Sequence, residues 1–588
     1  MTPETKQCQS CKKPFTIEPE DFDFYEKIKV PPPTWCPECR ERRRMVARNT
    51  RTLYRSVCKA SEHNEQLISL YAPEGQMPVY DQKYWWSDAW DPLSYGRSYD
   101  FSRPFFEQFA DLFMSVPRSN LNNKNPVNTE YANMTIDSKN CYLLFSSTGN
   151  EDCMFSEGLF SSKSCIDVSN AQDSEQCYEC VDCDRCYRVI FSQDARDCMD
   201  SAFLLDCRNC QNCFGCWNLR NKQYYIFNQP YSRENYFRKL EEIFSGKHTD
   251  LQAMRARFNR ENLRGLRKYF QYSTGDQLVQ SKNCLSCFNV HRLEDSKFCS
   301  RIYGGGSTNQ DIVVAVQPEL CYEGLGVGTG YNNLFSVALD ADDNLRYCKH
   351  CFSSSHLFGC VGLRNKQYCI LNKQYSKEEY EALVLRIIKH MKNVPYTDRR
   401  GRIYTYGEFF PPETSPFAYN ETMAQEYFPL TKEEALKQGY RWRDPDTKQY
   451  AITKTPESLP DHIKDVTDDI FKETIGCLHN GKCNQRCATA FKIIPEELSF
   501  YRKMNLPLPR LCPNCRHYER LRQRNPFRLW HRQCMCAGIK SQSPSTSARD
   551  GSASGGKSQY ENTTKHAHGD KPCPQEFETS YPPERPEI

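Results

Sequence analysis

The sequence predicts a mixed, β-rich fold: a cysteine-laddered, β-solenoid-like middle in two halves with helical inserts, flanked by small metal-stapled ribbons. Three observations predict it. Cysteine knuckles stand near both ends of the 588-residue chain and repeat at one offset. In the middle, cysteines recur every twelve residues, as Cys141, Cys153, Cys165 and Cys177. Around them short apolar runs alternate with Ser/Asn/Asp turns, without the 3.6-residue period of a helix.

The first element is Cys8-x2-Cys11, followed by Cys36-Pro-Glu-Cys39-Arg. Paired knuckles this far apart fit a zinc ribbon, in which four thiolates complete a closed tetrahedron. Cys487, Cys512 and Cys515 lie 476 residues after Cys11, Cys36 and Cys39. The same offset pairs Phe15 with Phe491, Phe24-Tyr25 with Phe500-Tyr501, Arg48-Asn49 with Arg524-Asn525, and Cys58 with Cys534. The first knuckle slips, becoming Cys483-x3-Cys487, and Cys477 competes for the same role. Two zinc sites are therefore expected, on Cys8, Cys11, Cys36 and Cys39 and on Cys483, Cys487, Cys512 and Cys515.

The pattern C-x2-C-x3-F, then FY, then P-x3-C-P-x-C-R resembles the "probable zinc-ribbon" domain of uncharacterised bacterial proteins. The longer pattern is similar to multi-zinc-ribbon proteins of candidate-phylum bacteria. It includes Tyr84-Trp85-Trp86-Ser87-Asp88, Asn218-Leu219-Arg220-Asn221-Lys222, Gly407-Glu408-Phe409-Phe410-Pro411 and Phe577-Glu578-Thr579-Ser580-Tyr581. The resemblance covers nearly the whole chain and implies an architecture, with no activity attached. Proteins of this type close a further ribbon with a final C-x2-C. Here Cys534-x-Cys536 is followed only by His566, His568 and Cys573, so either histidine completes a third zinc site or that ribbon is unfinished.

Charge is uneven although the net is only +4. Residues 40–59 carry seven Arg and one Lys against Glu41, a net of +7. Residues 502–532 carry nine basic residues against Glu519, a net of +8, and residues 141–216 carry thirteen acidic against five basic, a net of −8. Arg40, Arg43, Arg44 and Arg48, with Arg516, Arg520 and Arg524 in the second copy, are candidates for nucleic acid or a nucleoprotein, because the planar guanidinium suits phosphates. Tyr54 and Trp530 at matching positions could stack on bases. The alternative is that these arginines neutralise the acidic middle of the same chain or contact a protein partner.

A fixed twelve-residue period suggests stacked solenoid rungs with cysteines as a small, buried internal ladder. Phe214-Gly-Cys216 and Leu219-Arg-Asn-Lys-Gln-Tyr224 return 144 residues later as Phe358-Gly-Cys360 and Leu363-Arg-Asn-Lys-Gln-Tyr368, so the solenoid has two halves. Ser376 with Glu379 forms a capping box that opens a helix to about His390, and helical sequence follows the first half over about 233–270. Cys177, Cys180, Cys183 and Cys186, repeated as Cys207, Cys210, Cys213 and Cys216, resemble the ferredoxin run that holds an Fe–S cluster. Against that, the ferredoxin Pro is missing and the second half replaces two of the positions with Ser354 and Leu357.

Phe105, Phe106, Phe109, Leu112 and Phe113 form a helical apolar stripe that reads as core. Gly304-Gly-Gly306 and Gly324-x-Gly-x-Gly328 lack the Lys-Ser/Thr of a phosphate loop, and no catalytic grouping stands out. The start has no apolar leader and no run approaches about 18 apolar residues, so neither membrane nor secretion is expected. The 33 cysteines then read as metal and core residues of a cytoplasmic protein. The expected organisation is ribbon and Arg segment (1–60), aromatic connector (61–125), solenoid half one (126–230), helical insert (231–275), half two (276–375), helix (376–395) and connector (396–476). A second ribbon with its Arg segment (477–540) and a disordered linker with the partial third ribbon (541–588) complete it. The function this suggests is non-enzymatic: a zinc protein contacting nucleic acid, with an Fe–S redox protein or a protein-interaction scaffold as alternatives.

Overall fold

The computed structural model describes residues 2–261, 273–444, 450–533, 574 and 576–583. The middle of the chain is a β-solenoid whose turn is twelve residues long. Tyr142, Met154, Ile166, Tyr178 and Ile190 each bridge in parallel to the residue twelve further on. The backbone bonds follow the same register: the Tyr142 N–H donates to Cys153 O at 3.1 Å and the Phe155 N–H to Tyr142 O at 3.0 Å.

Each turn is built from triplets. Every third residue lies in the left-handed region, for example Asn140 (φ 51°), Leu143 (49°), Ser146 (48°), Gly149 (69°), Asp152 (55°) and Phe155 (53°). That region is hospitable to Gly, Asn and Asp, which explains the abundance of those residues here. It costs bulky residues such as Leu143 and Phe155 about 1–2 kcal/mol each, which the stacking around them must offset. The residue after each corner points inward. Cys141, Leu144, Ser147 and Asn150 are the inward residues of one turn, Cys153, Ser156, Leu159 and Ser162 of the next, and none is more than 2% exposed. Cysteine spacings of three and of twelve are thus one geometry, seen within a turn and between turns.

The inward polar residues are satisfied along the stack. Asn150 donates to Leu159 O at 2.9 Å and accepts the Ser162 N–H at 3.0 Å. Ser156 Oγ donates to Met154 O at 2.8 Å and accepts the Val168 N–H at 3.1 Å. Such ladders bury polar atoms without the penalty of an unpaired group.

The chain forms two compact units: residues 1–122 with 269–444, and residues 123–268 with 445–588. The N-terminal ribbon therefore belongs with the second solenoid half, and the C-terminal ribbon with the first. In the first unit the ribbon helix α1 (Pro37–Met45) is followed by a hairpin of β1 (Tyr54–Val57) and β2 (Gln66–Ser69). The predicted apolar stripe forms a helix, Phe105–Ser115, whose aromatic rings are buried against a solenoid ladder in which Phe335 stacks on Tyr347 at 4.7 Å. Ser376 caps the helix Lys377–Asn393, and its hydroxyl accepts the Glu379 N–H as the sequence predicts.

In the second unit the ribbon helix α2 (Pro513–Leu521) is followed by β3 (Trp530–Gln533), which pairs antiparallel with β4 (Glu576–Thr579). The helical stretch expected over 233–270 is two helices, Arg233–Ile243 and His248–Glu261. They part at Phe244–Lys247, where Phe244 leaves helical geometry (φ −139°, ψ 96°). The expected linker beyond Ser541 and the segment of the third ribbon lie outside the described residues, apart from 574 and the β4 region.

Candidate metal centre

The ribbon helices begin at a cysteine that could ligate a metal. Cys36 is the N-cap of α1 and Cys512 that of α2, each with Pro at the first helical position. Proline is preorganised there, and the helix N-terminus favours a thiolate. Cys8, Cys11, Cys36 and Cys39 bring their sulfurs within 4.8 Å of one another. Cys11 Sγ and Cys36 Sγ are 3.7 Å apart. A tetrahedron with metal–sulfur bonds of ~2.3 Å has edges of about 3.8 Å, so this quartet has the dimensions of a four-thiolate metal site. Hydrogen bonding to the Cys36 and Cys39 thiols holds Cys8 far below the ordinary thiol range, while hydrogen bonding to Cys36 and Cys8 pushes Cys39 up.

In the second ribbon the corresponding group is Cys477, Cys487, Cys512 and Cys515. The sequence pattern pointed to Cys483 in the first position; the structure puts Cys477 there. The Cys512 N–H donates to Cys477 Sγ at 3.2 Å, as the Cys36 N–H donates to Cys8 Sγ at 3.2 Å. The Cys477 N–H reaches Thr489 O at 2.8 Å, as the Cys8 N–H reaches Lys13 O at 2.9 Å. Cys477 is thus the counterpart of Cys8, and the loop between the first two ligands has grown from two residues to nine. Cys483 lies inside that loop, 3.8 Å from Cys515 Sγ, in a side group with His479. Cys534, Cys536 and Cys573, with His566 and His568, lie outside the described residues.

The cysteines of the solenoid are differently placed. Ribbon sulfurs accept N–H groups, as Cys8 and Cys477 do, whereas ladder sulfurs lie beside backbone carbonyls and donate. Cys177 Sγ faces Glu175 O at 3.6 Å, Cys180 Sγ faces Val189 O at 3.2 Å, and Cys183 Sγ faces Val181 O at 3.5 Å. Burial and its neighbours hold the Cys180 thiol well above the ordinary range, while hydrogen bonds with Cys180 and Cys186 lower Cys183 to about 5. Cys177, Cys180, Cys183 and Cys186 are the inward residues of a single turn, and they are not among the groups whose ligand atoms all lie within 4.8 Å.

The arginines pair within the chain, as the alternative sequence reading has it. Arg40, Arg43, Arg44 and Arg48 are at most 8% exposed, as are Arg516 and Arg520, and the Arg524 side chain is 7% exposed. They point at the solenoid. Arg40 and Arg44 meet Asp311 at 2.8 and 3.0 Å, and Arg43 meets Glu323 and Glu408 at 2.7 Å each. Arg43 also lies over the Trp35 ring at 4.5 Å. In the other unit Arg516 and Arg520 meet Asp167 at 2.6 and 2.7 Å, and Arg524 meets Asp182 at 3.2 Å.

Offsets of 476 in the ribbons and 144 in the solenoid therefore coincide in three dimensions: Arg40/Asp311 repeats as Arg516/Asp167. Tyr25 packs on Tyr322 at 5.5 Å, as Tyr501 packs on Tyr178 at 5.6 Å. The duplicated object is a ribbon already seated on its solenoid half. Two of these positions differ: Arg43 corresponds to Glu519, and Asp182 corresponds to Gly326, whose φ is +67° and where an added Cβ would sit 2.6 Å from Arg48 Nη1.

In this arrangement Asp311, Glu323 and Glu408 occupy Arg40, Arg43 and Arg44, and Asp167 and Asp182 occupy Arg516, Arg520 and Arg524. Tyr54 is engaged as well, with its hydroxyl on Glu421 and Arg443 over its ring at 4.7 Å. No protein-family model and no curated protein matches this chain. Among the described residues no helix is long and apolar enough to cross a membrane.

Sequence reasoning also missed a smaller group, Cys58, His63 and Glu65, at the tip of the β1–β2 hairpin. Cys58-x4-His63 was the available signal.

Proposed function

We propose that this chain is a non-enzymatic zinc-binding scaffold, in which each ribbon is a metal-fixed clamp closed on one half of a cysteine-cored solenoid. The observation that carries this reading is the destination of the arginines. Their charge complements buried solenoid carboxylates twice over, in the same arrangement, so it serves the fold and not an external polyanion. Four-thiolate tetrahedra suit zinc, and a closed site of this type contributes folding energy and leaves no open position for chemistry. Every cysteine among the described residues is free. Thiols this dense stay free and metal-competent in a reducing compartment, which points to the cytoplasm.

Two measurements on the full chain test it. Metal analysis after anaerobic purification is expected to give two to three zinc per chain and no iron. Gel-shift titration with duplex DNA and with RNA at low salt is expected to show no retention. Retention that fades steeply as salt rises would restore the nucleic-acid reading, because phosphate contacts release counterions.

A further inference from the structure

Beyond the two thiolate quartets, we propose that Cys58, His63 and Glu65 form a further metal site, a three-ligand divalent-cation site at the tip of the first ribbon's trailing hairpin. Their ligand atoms lie within 4.8 Å of one another. The hairpin brings them together: the Cys58 N–H donates to Glu65 O at 3.1 Å, and a turn in which the His63 N–H donates to Ala60 O folds the imidazole back over the strand ends. Glu62 takes the left-handed conformation (φ 64°) that this turn needs.

The donors are prepared for a cation. Cys58 is 3% exposed, and its sulfur accepts the Asp81 N–H at 3.2 Å. That is the bond the quartet sulfurs Cys8 and Cys477 receive, and the reverse of the carbonyl-facing geometry of the ladder thiols. His63 is held edge-on to Tyr84 at 4.5 Å, and its Nδ1 is 3.0 Å from Glu65. A sulfur, an imidazole nitrogen and a carboxylate oxygen form a borderline donor set of the kind zinc takes. Glu65 is exposed, so solvent completes the coordination.

The internal repeat supplies an independent argument. In β1–β2, Tyr54 pairs with Ser69 and Val57 with Gln66; in β3–β4, Trp530 pairs with Thr579 and Gln533 with Glu576. The two hairpins share one register, and Cys58 and Cys534 each follow the first strand directly. Between the strands of the second hairpin the sequence carries Cys534, Cys536, His566, His568 and Cys573. Both copies thus place Cys and His between the same two strands, and the first copy does so in a short loop.

Cobalt(II) titration of the full-length, metal-stripped protein tests the site, with zinc content as a second readout. Relative to the unsubstituted chain, Cys58→Ser and His63→Ala are each expected to bind one metal equivalent fewer. Both variants should also lose one step of thiolate-to-cobalt absorption. His63 is on the rim, so His63→Ala keeps the test valid if the buried Cys58→Ser misfolds. Unchanged stoichiometry and an unchanged cobalt spectrum in His63→Ala would overturn the proposal. Loss of the quartets themselves would instead lower the total in all variants alike.

Discussion

Arg516 and Asp167 lie 349 residues apart in sequence and 2.6 Å apart in space, with side chains 3% and 0% exposed. Arg520 reaches the other oxygen of the same carboxylate at 2.7 Å, and Glu497 accepts from Arg516 at 3.2 Å. Removing such charges from water is costly, and a buried pair gains little net stability over apolar packing. What it provides is register: a helix carrying two fixed guanidinium groups fits one corner of one solenoid turn. A metal held by Cys512 and Cys515 would fix the start of that helix, and the arginines fix its face.

Metal removal should therefore act locally. Chelation is expected to strip backbone hydrogen-exchange protection from α1 and α2 while the parallel solenoid bonds keep theirs. Hydrogen-exchange mass spectrometry, with and without chelator, reads this directly. Loss of protection throughout both solenoid halves would show that the ribbons hold far more than their own helices.

The ligand swap in the second ribbon separates two neighbouring thiols. Cys477→Ser is expected to lower bound zinc by one equivalent and to lower thermal stability. Cys483→Ser is expected to leave the quartet's metal in place. Equal losses from both would mean that the ion is shared with the side group of His479 and Cys483.

Ladder thiols should be chemically silent in the folded state. Cys153, Cys165, Cys177 and Cys180 are 0% exposed. Iodoacetamide labelling under native conditions is expected to miss them and to reach them in denaturant. Replacing Cys180 with Ala should cost roughly 1 kcal/mol, the scale of a small cavity, with no loss of metal. Metal loss in Cys180→Ala would reinstate a cofactor in the interior.

Lys349 gives a pH signature. It is 2% exposed, with its ammonium 4.1 Å from the Phe410 ring and 4.3 Å from that of Phe113. Burial, helped by the nearby Arg118 charge, lowers its pKa from 10.5 to about 7. Between those values the unfolded chain carries a proton here that the folded chain does not, so stability rises with pH across that window. Below about pH 7 both states carry it and this dependence stops. The slope is at most about 1.4 kcal/mol per pH unit, and Lys349→Met should abolish it in urea denaturation series.

Much of this architecture is legible in the sequence. The interval from Cys141 to Cys153 to Cys165 gives the turn length, and the capping box at Ser376 and Glu379 gives a helix start. The triplet geometry is not, because Leu143 and Phe155 occupy corners that propensity reserves for Gly and Asn. Cys477 is legible only as a competitor to Cys483, because the knuckle is recognised by spacing and its loop has lengthened. The arginines leave two readings open for a different reason. A run of guanidinium groups looks the same whether it faces solvent or a carboxylate, and Asp167 is one acidic residue among thirteen in its segment. Only the two repeats taken together, 476 for Arg40/Arg516 and 144 for Asp167/Asp311, single out the pairing.

The claim that the ribbon arginines serve the solenoid is tested most directly by a double-mutant cycle between Arg520 and Asp167, read by chemical denaturation of the zinc-loaded chain. Asp167→Asn, which takes the carboxylate from both Arg516 and Arg520, is expected to destabilise by roughly 3–5 kcal/mol, and Arg520→Met, which leaves Asp167 its pairing with Arg516, by less. The double variant should be no worse than the poorer single one. Additive effects, or single losses below about 0.5 kcal/mol, would place these side chains in solvent and contradict it.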